Sequence, residues 1–173
     1  MQRRRAIIFD LDGTLTDSAP ALTRALNVVW GDHGRPSVSL AAVKSYIGDG
    51  PERLIARARA ALGLAGDVAA VGRETAAFLA AYAAGGPGGE VYPGAIPVLE
   101  RLAGAGLRLA VCTNKPQAAA EKLLAELGLA RWLDGVVGGD AATRQKPDPA
   151  HVRAVLALMS GVDAAQAVLV GDG

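Results

Sequence analysis

Apolar positions along this chain change rhythm twice. Residues 6–9 form a continuous apolar run that stops at Asp10 and Asp12, which reads as a short strand buried on both faces. From residue 19 to about 84 the spacing becomes helical. Leu22, Leu26, Val29 and Trp30 recur on one face, with Ser18 placed to cap the helix and Pro20 in its first turn. Residues 51–62 carry Leu54, Ile55, Ala58 and Leu62, and residues 67–84 carry Val68, Val71, Phe78, Leu79 and Tyr82. No convincing strand interrupts them.

After the Gly/Pro-rich run at 85–89 the pattern alternates. Helices are expected at 97–103, 116–127 and 149–159, and strands at 107–112, 135–137 and 167–170. Gly128 is placed to stop the second of these helices. Strands alternating with helices imply right-handed βαβ units and a parallel sheet with helices on its faces. The expected architecture is α/β: a Rossmann-like parallel core of residues 1–17 and 88–173, with an all-helical insertion of residues 18–87. The run at 85–89 follows no strand and lacks a Lys-Ser/Thr ending, so it reads as a boundary rather than a phosphate loop.

Composition narrows the functional classes. At 173 residues and 51% apolar, the chain can build a packed core, and its formal charge of +1 gives no bulk attraction to nucleic acid or an acidic membrane. The single cysteine, Cys112, sits in an apolar run and reads as a buried thiol; it excludes a disulfide framework. The basic residues Arg3–Arg5 precede too few apolar residues for a signal peptide and read as a solvated face. No run approaches the roughly 20 apolar residues of a membrane span, and a cytoplasmic location is expected. His33 and His151 have no partner at zinc-binding spacing and read as structural or exposed.

The residues just beyond each core strand carry the chemical signal. The first strand ends in Asp10 and Asp12, the second in Thr113 and Asn114, the third in Gly138, Gly139 and Asp140 with Lys146 beyond, and the fourth in Asp172. Open parallel sheets bind ligands just beyond the carboxyl ends of their strands, so these residues converge. Singly each has a plainer reading: turn aspartates, a strand-end hydroxyl, a surface lysine. A calcium loop fails on spacing, because Leu15 and Ala21 stand where its Gly and Glu would be. Together, three carboxylates repel one another unless a cation joins them. All-oxygen ligands suit Mg²⁺, Lys146 and Thr113 can hold phosphate oxygens, and a carboxylate can serve as a nucleophile.

The segments DLDGT, VCTN, KPDP and VGDG, in that order on strand ends, resemble the four motifs of the haloacid dehalogenase superfamily. The stretches DSAPALTRALN, VKSYIGDGPERLIARA and YPGAIPVLERLAGAGLRLAVCTNKP resemble its phosphoglycolate phosphatases with a helical cap. The resemblance implies Asp10 as nucleophile and Asp12 as general acid and then base. It implies Mg²⁺ held by the Asp10 carboxylate, the Asp12 backbone carbonyl and Asp172, and phosphate bound by Thr113, Asn114 and Lys146. It also implies substrate selection by a cap loop, with Gly48, Asp49 and Gly50 as candidates and Lys44 or Arg53 facing a substrate carboxylate.

The activity so implied is Mg²⁺-dependent hydrolysis of a small phosphate monoester, 2-phosphoglycolate first, through an aspartyl-phosphate. Another sugar-phosphate phosphatase, a phosphomutase and a non-catalytic metabolite-binding form are the alternatives. The resembled enzymes continue past their fourth motif with a further acid and a helix, so a C-terminally truncated chain is expected.

Overall fold

The computed structural model describes residues 5–172. Arg3 and Arg4 of the basic run therefore lie outside the described residues; Arg5 is exposed and donates from Nη1 to the Gly161 carbonyl at 2.8 Å. The chain divides into two compact units, Met1–Asp17 with Glu90–Gly173, and Ser18–Gly89.

The first unit is built on a four-stranded sheet. Its strands are β1 (Ala6–Phe9), β4 (Arg108–Cys112), β5 (Val136–Val137) and β6 (Ala167–Val170), in the order β5-β4-β1-β6. All three pairings are parallel; Phe9 stands opposite both Val111 and Val170. Helices α5 (Ala95–Gly104), α6 (Gln117–Glu126) and α7 (Pro149–Leu158) supply the crossovers. Two apolar clusters form. Phe9, Leu11, Leu99, Leu109, Val111 and Leu123 pack in one, and Ile8, Ala110, Cys112, Val155 and Met159 in the other. Alternate residues of β1 and β4 thus point to opposite sides of the sheet, and both sides are apolar, as parallel sheets require. Strand β6 is an edge, with Val168, Leu169 and Val170 exposed.

A two-stranded antiparallel ribbon, β2 (Thr16–Asp17) with β3 (Glu90–Val91), joins the two core segments where the chain departs to residue 18 and returns at 89. Two residues per strand leave no readable alternation, and the sequence carries no sign of it. Two 3₁₀ turns, Ala130–Trp132 and Ala164–Gln166, were equally invisible.

The second unit is helical: α1 (Ala19–Asp32), α2 (Leu40–Lys44), α3 (Pro51–Ala60) and α4 (Val68–Ala84). Trp30, Leu26, Ile55 and Phe78 are buried in its core. Two expectations need correction, and one short helix was not foreseen. Ser18 occupies the N-cap position of α1, but its side chain makes no capping bond. The five-residue α2 lacks a helical pattern because only Val43 of it is buried. Val68 is 83% exposed: it is the first residue after the Asp67 cap, whose carboxylate accepts from Ala70 N, and it points outward there.

One buried polar group organises this unit. Glu74 accepts from Arg59 at 2.6 Å and from both terminal nitrogens of Arg35 at 2.8 and 3.0 Å. The Arg35 guanidinium also lies 4.9 Å from the Trp30 ring. Hydrogen bonding from Arg35 holds the Glu74 carboxyl below its ordinary value. The stability it contributes is therefore complete above the usual glutamate range and is lost as the pH falls through the folded value. Removing one partner from such a group leaves a buried charge unpaired. Glu74→Gln is expected to destabilise this unit by about 3 kcal/mol at neutral pH, with the difference shrinking in acid. Urea unfolding read by Trp30 fluorescence in a Trp132→Phe background checks both points.

Candidate active site

The site is built where β1, β4, β5 and β6 end. Asp10 continues β1, its N–H donating to the Val170 carbonyl at 2.8 Å. The chain then leaves the strand. Leu15 N and Thr16 N both donate to the Leu11 carbonyl at 3.0 Å, and Gly13 N donates to Thr16 O at 2.9 Å. Leu11 is fully buried, so this tight turn is pinned by an apolar anchor at its base. Gly13 takes φ +88° and packs directly against the Asp172 carboxylate; a side chain there would meet both obstacles. Side chains two apart on a strand share a face. The turn is what gives Asp10 and Asp12 different partners.

Asp10 Oδ1 accepts from Leu11 N at 2.7 Å, and Oδ2 lies 2.5 Å from Lys146 Nζ. Asp12 presents its two oxygens at 3.1 and 3.2 Å to Lys115 Nζ. Asp172 Oδ1 accepts from Thr14 Oγ1 at 3.2 Å. Burial pushes the Asp10 carboxyl above its ordinary value; the Lys146 ammonium and the Leu11 N–H pull it back, and the Asp12 charge adds to the rise. The expectation of three carboxylates around one point needs correction. Among the described residues no three His, Cys, Asp or Glu side chains form such a group, and the Asp12 carboxylate is paired with Lys115. What remains for a cation is two carboxylates on neighbouring strands, Asp10 and Asp172, with the Asp12 backbone carbonyl. That oxygen-only set fits Mg²⁺, which takes one or two carboxylates with waters and phosphate.

Thr113 and Asn114 come directly after β4. Thr113 is buried and its Oγ1 accepts from Lys115 N at 3.2 Å, which leaves its own proton for an anionic acceptor. The Asn114 side chain spans the Lys146 backbone: Oδ1 accepts from Lys146 N at 3.0 Å and Nδ2 donates to Lys146 O at 3.2 Å. The same amide group that the motif offers to a phosphate thus also holds the backbone of Lys146. The glycine pair after β5 is required by space. A Cβ on Gly138 would stand 2.5 Å from Gln117 N, and one on Gly139 2.7 Å from the Asn114 carbonyl. Asp140 completes the junction by accepting from Gln117 N at 2.7 Å at the start of α6.

His151, fully buried, locks the lysine loop. Its Nδ1 accepts from Lys146 N at 3.1 Å, and its Nε2 faces the Val137 carbonyl at 3.1 Å, so the ring is neutral with its proton on Nε2. Burial lowers its pKa, the Lys146 charge adds to the fall, and the Val137 bond opposes it. Cys112, also buried, has its thiol pushed up to about 11 and is inert.

The cap-loop candidates belong to the helical unit. Gly48 and Gly50 both have positive φ, and Gly50 is the N-cap of α3. Between them Asp49 is ion-paired with Arg57, whose other terminal nitrogen donates to the Tyr46 carbonyl at 3.0 Å. The loop is thus tied to α3 through Arg57, a residue the sequence did not single out. Lys44 closes α2, and Arg53 lines an open groove with Glu52, Arg57 and Val68.

A family model for haloacid dehalogenase-like hydrolases matches residues 4–173. The chain belongs to that family. It is 49% identical to the phosphoglycolate phosphatase of Rhodospirillum rubrum over 97% of this chain and 71% of that protein. It is 39% identical to phosphoglycolate phosphatase 1 of Pseudomonas aeruginosa over 97% of this chain and 62% of that one. The crystal structure of "a predicted phosphoglycolate phosphatase" from Haemophilus somnus superposes with a TM-score of 0.88 at 29% identity, covering 99% of this chain and 78% of that one. Among the described residues no helix is long and apolar enough to cross a membrane.

The neutral His151 gives a pH test. The unfolded chain takes up the imidazole proton first, so stability is full above the ordinary histidine value of 6.5 and falls as the pH drops below it. As the pH drops below 6.5 the wild type is expected to lose up to about 1.4 kcal/mol per pH unit more than His151→Asn, until the folded-state imidazole itself takes up the proton. Urea titrations of the two at matched pH measure the difference; parallel curves contradict it.

Proposed function

We infer that this protein is a phosphatase acting on a small phosphate monoester, with 2-phosphoglycolate as the first substrate to test and an aspartyl-phosphate as intermediate. The observation that carries the reading is the contact between Asp10 and Lys146, 2.5 Å apart at the ligand edge of the sheet. An ammonium beside a carboxylate favours the ionised form of the nucleophile and opposes the effect of its burial. It also stands ready to hold the anion that the carboxylate attacks. The names of the relatives support the choice of ester.

In the first half-reaction an Asp10 oxygen attacks phosphorus as the bond to the ester oxygen breaks. Asp12 gives a proton to the leaving alkoxide. In the second, water attacks the same phosphorus and gives a proton to Asp12. The bond to Asp10 breaks, releasing inorganic phosphate and restoring both acids. Lys146, held by Asn114 and His151, and the Thr113 hydroxyl orient the phosphoryl oxygens. Mg²⁺ bound by Asp10, Asp172 and the Asp12 carbonyl would supply neutralising charge to those oxygens. Uncatalysed monoester hydrolysis is among the slowest of biological reactions, so a covalent route with dense positive charge suits it.

Phosphate release from a panel of esters, with and without Mg²⁺, tests the reading. Release is expected to be Mg²⁺-dependent and fastest on 2-phosphoglycolate. Asp10→Asn is expected to fall below about a thousandth of the wild-type rate while unfolding at the same urea concentration. Substantial turnover by that variant contradicts the assignment.

A further inference from the structure

Lys115 neither attacks phosphorus nor transfers a proton in the two half-reactions, yet its side chain is 4% exposed. Lysine is almost never buried to that degree unless it is paired. An apolar residue could fill the space at the end of β4 without the cost of burying an ammonium. Both ends of this lysine are fixed. Its N–H donates to Thr113 Oγ1 at 3.2 Å, and its carbonyl accepts from Gly139 N at 2.9 Å. At the other end Nζ reaches both oxygens of Asp12, at 3.1 and 3.2 Å, across 103 residues of sequence. One ammonium shared by both oxygens centres its charge on the carboxyl group and holds that group close to Lys115.

We propose that Lys115 is a positioning residue for Asp12, holding that carboxyl group in the place from which it serves the leaving-group oxygen. This rests on the phosphatase reading above. Lys146 and Lys115 then divide the work. The first faces the acid that bonds to phosphorus, and the second faces the acid that transfers the proton. Gly138 and Gly139 share in the device, because a side chain at either would displace the backbone from residue 114 to 117 that carries Lys115.

A leaving group that needs no proton separates this role from others. The wild type, Lys115→Met and Lys115→Arg are compared on 2-phosphoglycolate, which releases an alkoxide, and on p-nitrophenyl phosphate, which releases a stable phenolate. On the alkyl ester Lys115→Met is expected to lose about 100-fold in kcat with KM little changed. On the aryl ester it is expected to lose less than about five-fold. Lys115→Arg recovers much of the alkyl activity.

Equal losses on both esters would mean a structural role, and a raised KM with unchanged kcat would mean a phosphate ligand; either overturns the proposal. If the wild type hydrolyses neither ester, the phosphatase reading fails by itself. The anchoring of Asp12 is then read from its side-chain carboxyl ¹³C signal, assigned with Asp12→Asn. A signal moved by Lys115→Met and restored by Lys115→Arg supports the anchoring, and an unmoved signal overturns it.

Discussion

Two carboxylates two residues apart at the end of a buried parallel strand are the constraint around which this molecule is organised. Left alone they would repel each other and resist burial. Each is instead met by its own ammonium: Lys146 arrives from the segment after β5 and Lys115 from the end of β4. The tight turn at 11–16, the loop after β4 and the glycine pair after β5 all serve this double pairing. The backbone of one loop is stacked so closely on the other that Gly138 and Gly139 admit no side chain. Asn114 and His151 hold the backbone of Lys146 from two sides. The site is therefore a single hydrogen-bonded body, and its parts cannot be shifted independently.

The helical unit solves a similar problem with the signs reversed. Arg59 and Arg35 converge on one buried carboxylate, Glu74, and Trp30 offers its ring face to Arg35. Helices α3 and α4 and the segment after α1 are tied through one charge, which places a polar cluster inside an otherwise apolar core.

Strands β1 and β6 stand where the apolar runs placed them, and the long helices agree within a few residues at their ends, because burial on one face or two leaves a periodic trace. The ribbon of β2 and β3 and the helix α2 leave none; they are too short to show a period. At the site, Asp10, Asp12, Lys146, Thr113 and Asp172 were legible from the convergence of strand ends. Lys115 was not, since an ion pair spanning 103 residues has no local signature. His151 read as a structural or exposed histidine and proved to be the buried support of the lysine loop. Asn114 stands after β4 as the motif placed it, and its bonds to the Lys146 backbone had no trace in the sequence, because a motif gives position and not hydrogen-bond partner. Arg57, which ties down Asp49, was masked by lying on an ordinary charged helix face.

The central claim is that the acid facing Lys146 forms the bond to phosphorus while the acid facing Lys115 moves protons. Trapping the covalent intermediate tests it most directly. The enzyme is quenched in acid during turnover, reduced with borohydride, which converts an aspartyl-phosphate to homoserine, and mapped by mass spectrometry. Homoserine at position 10 and at no other position is the predicted result. Homoserine at position 12, or at any other aspartate, would contradict the account.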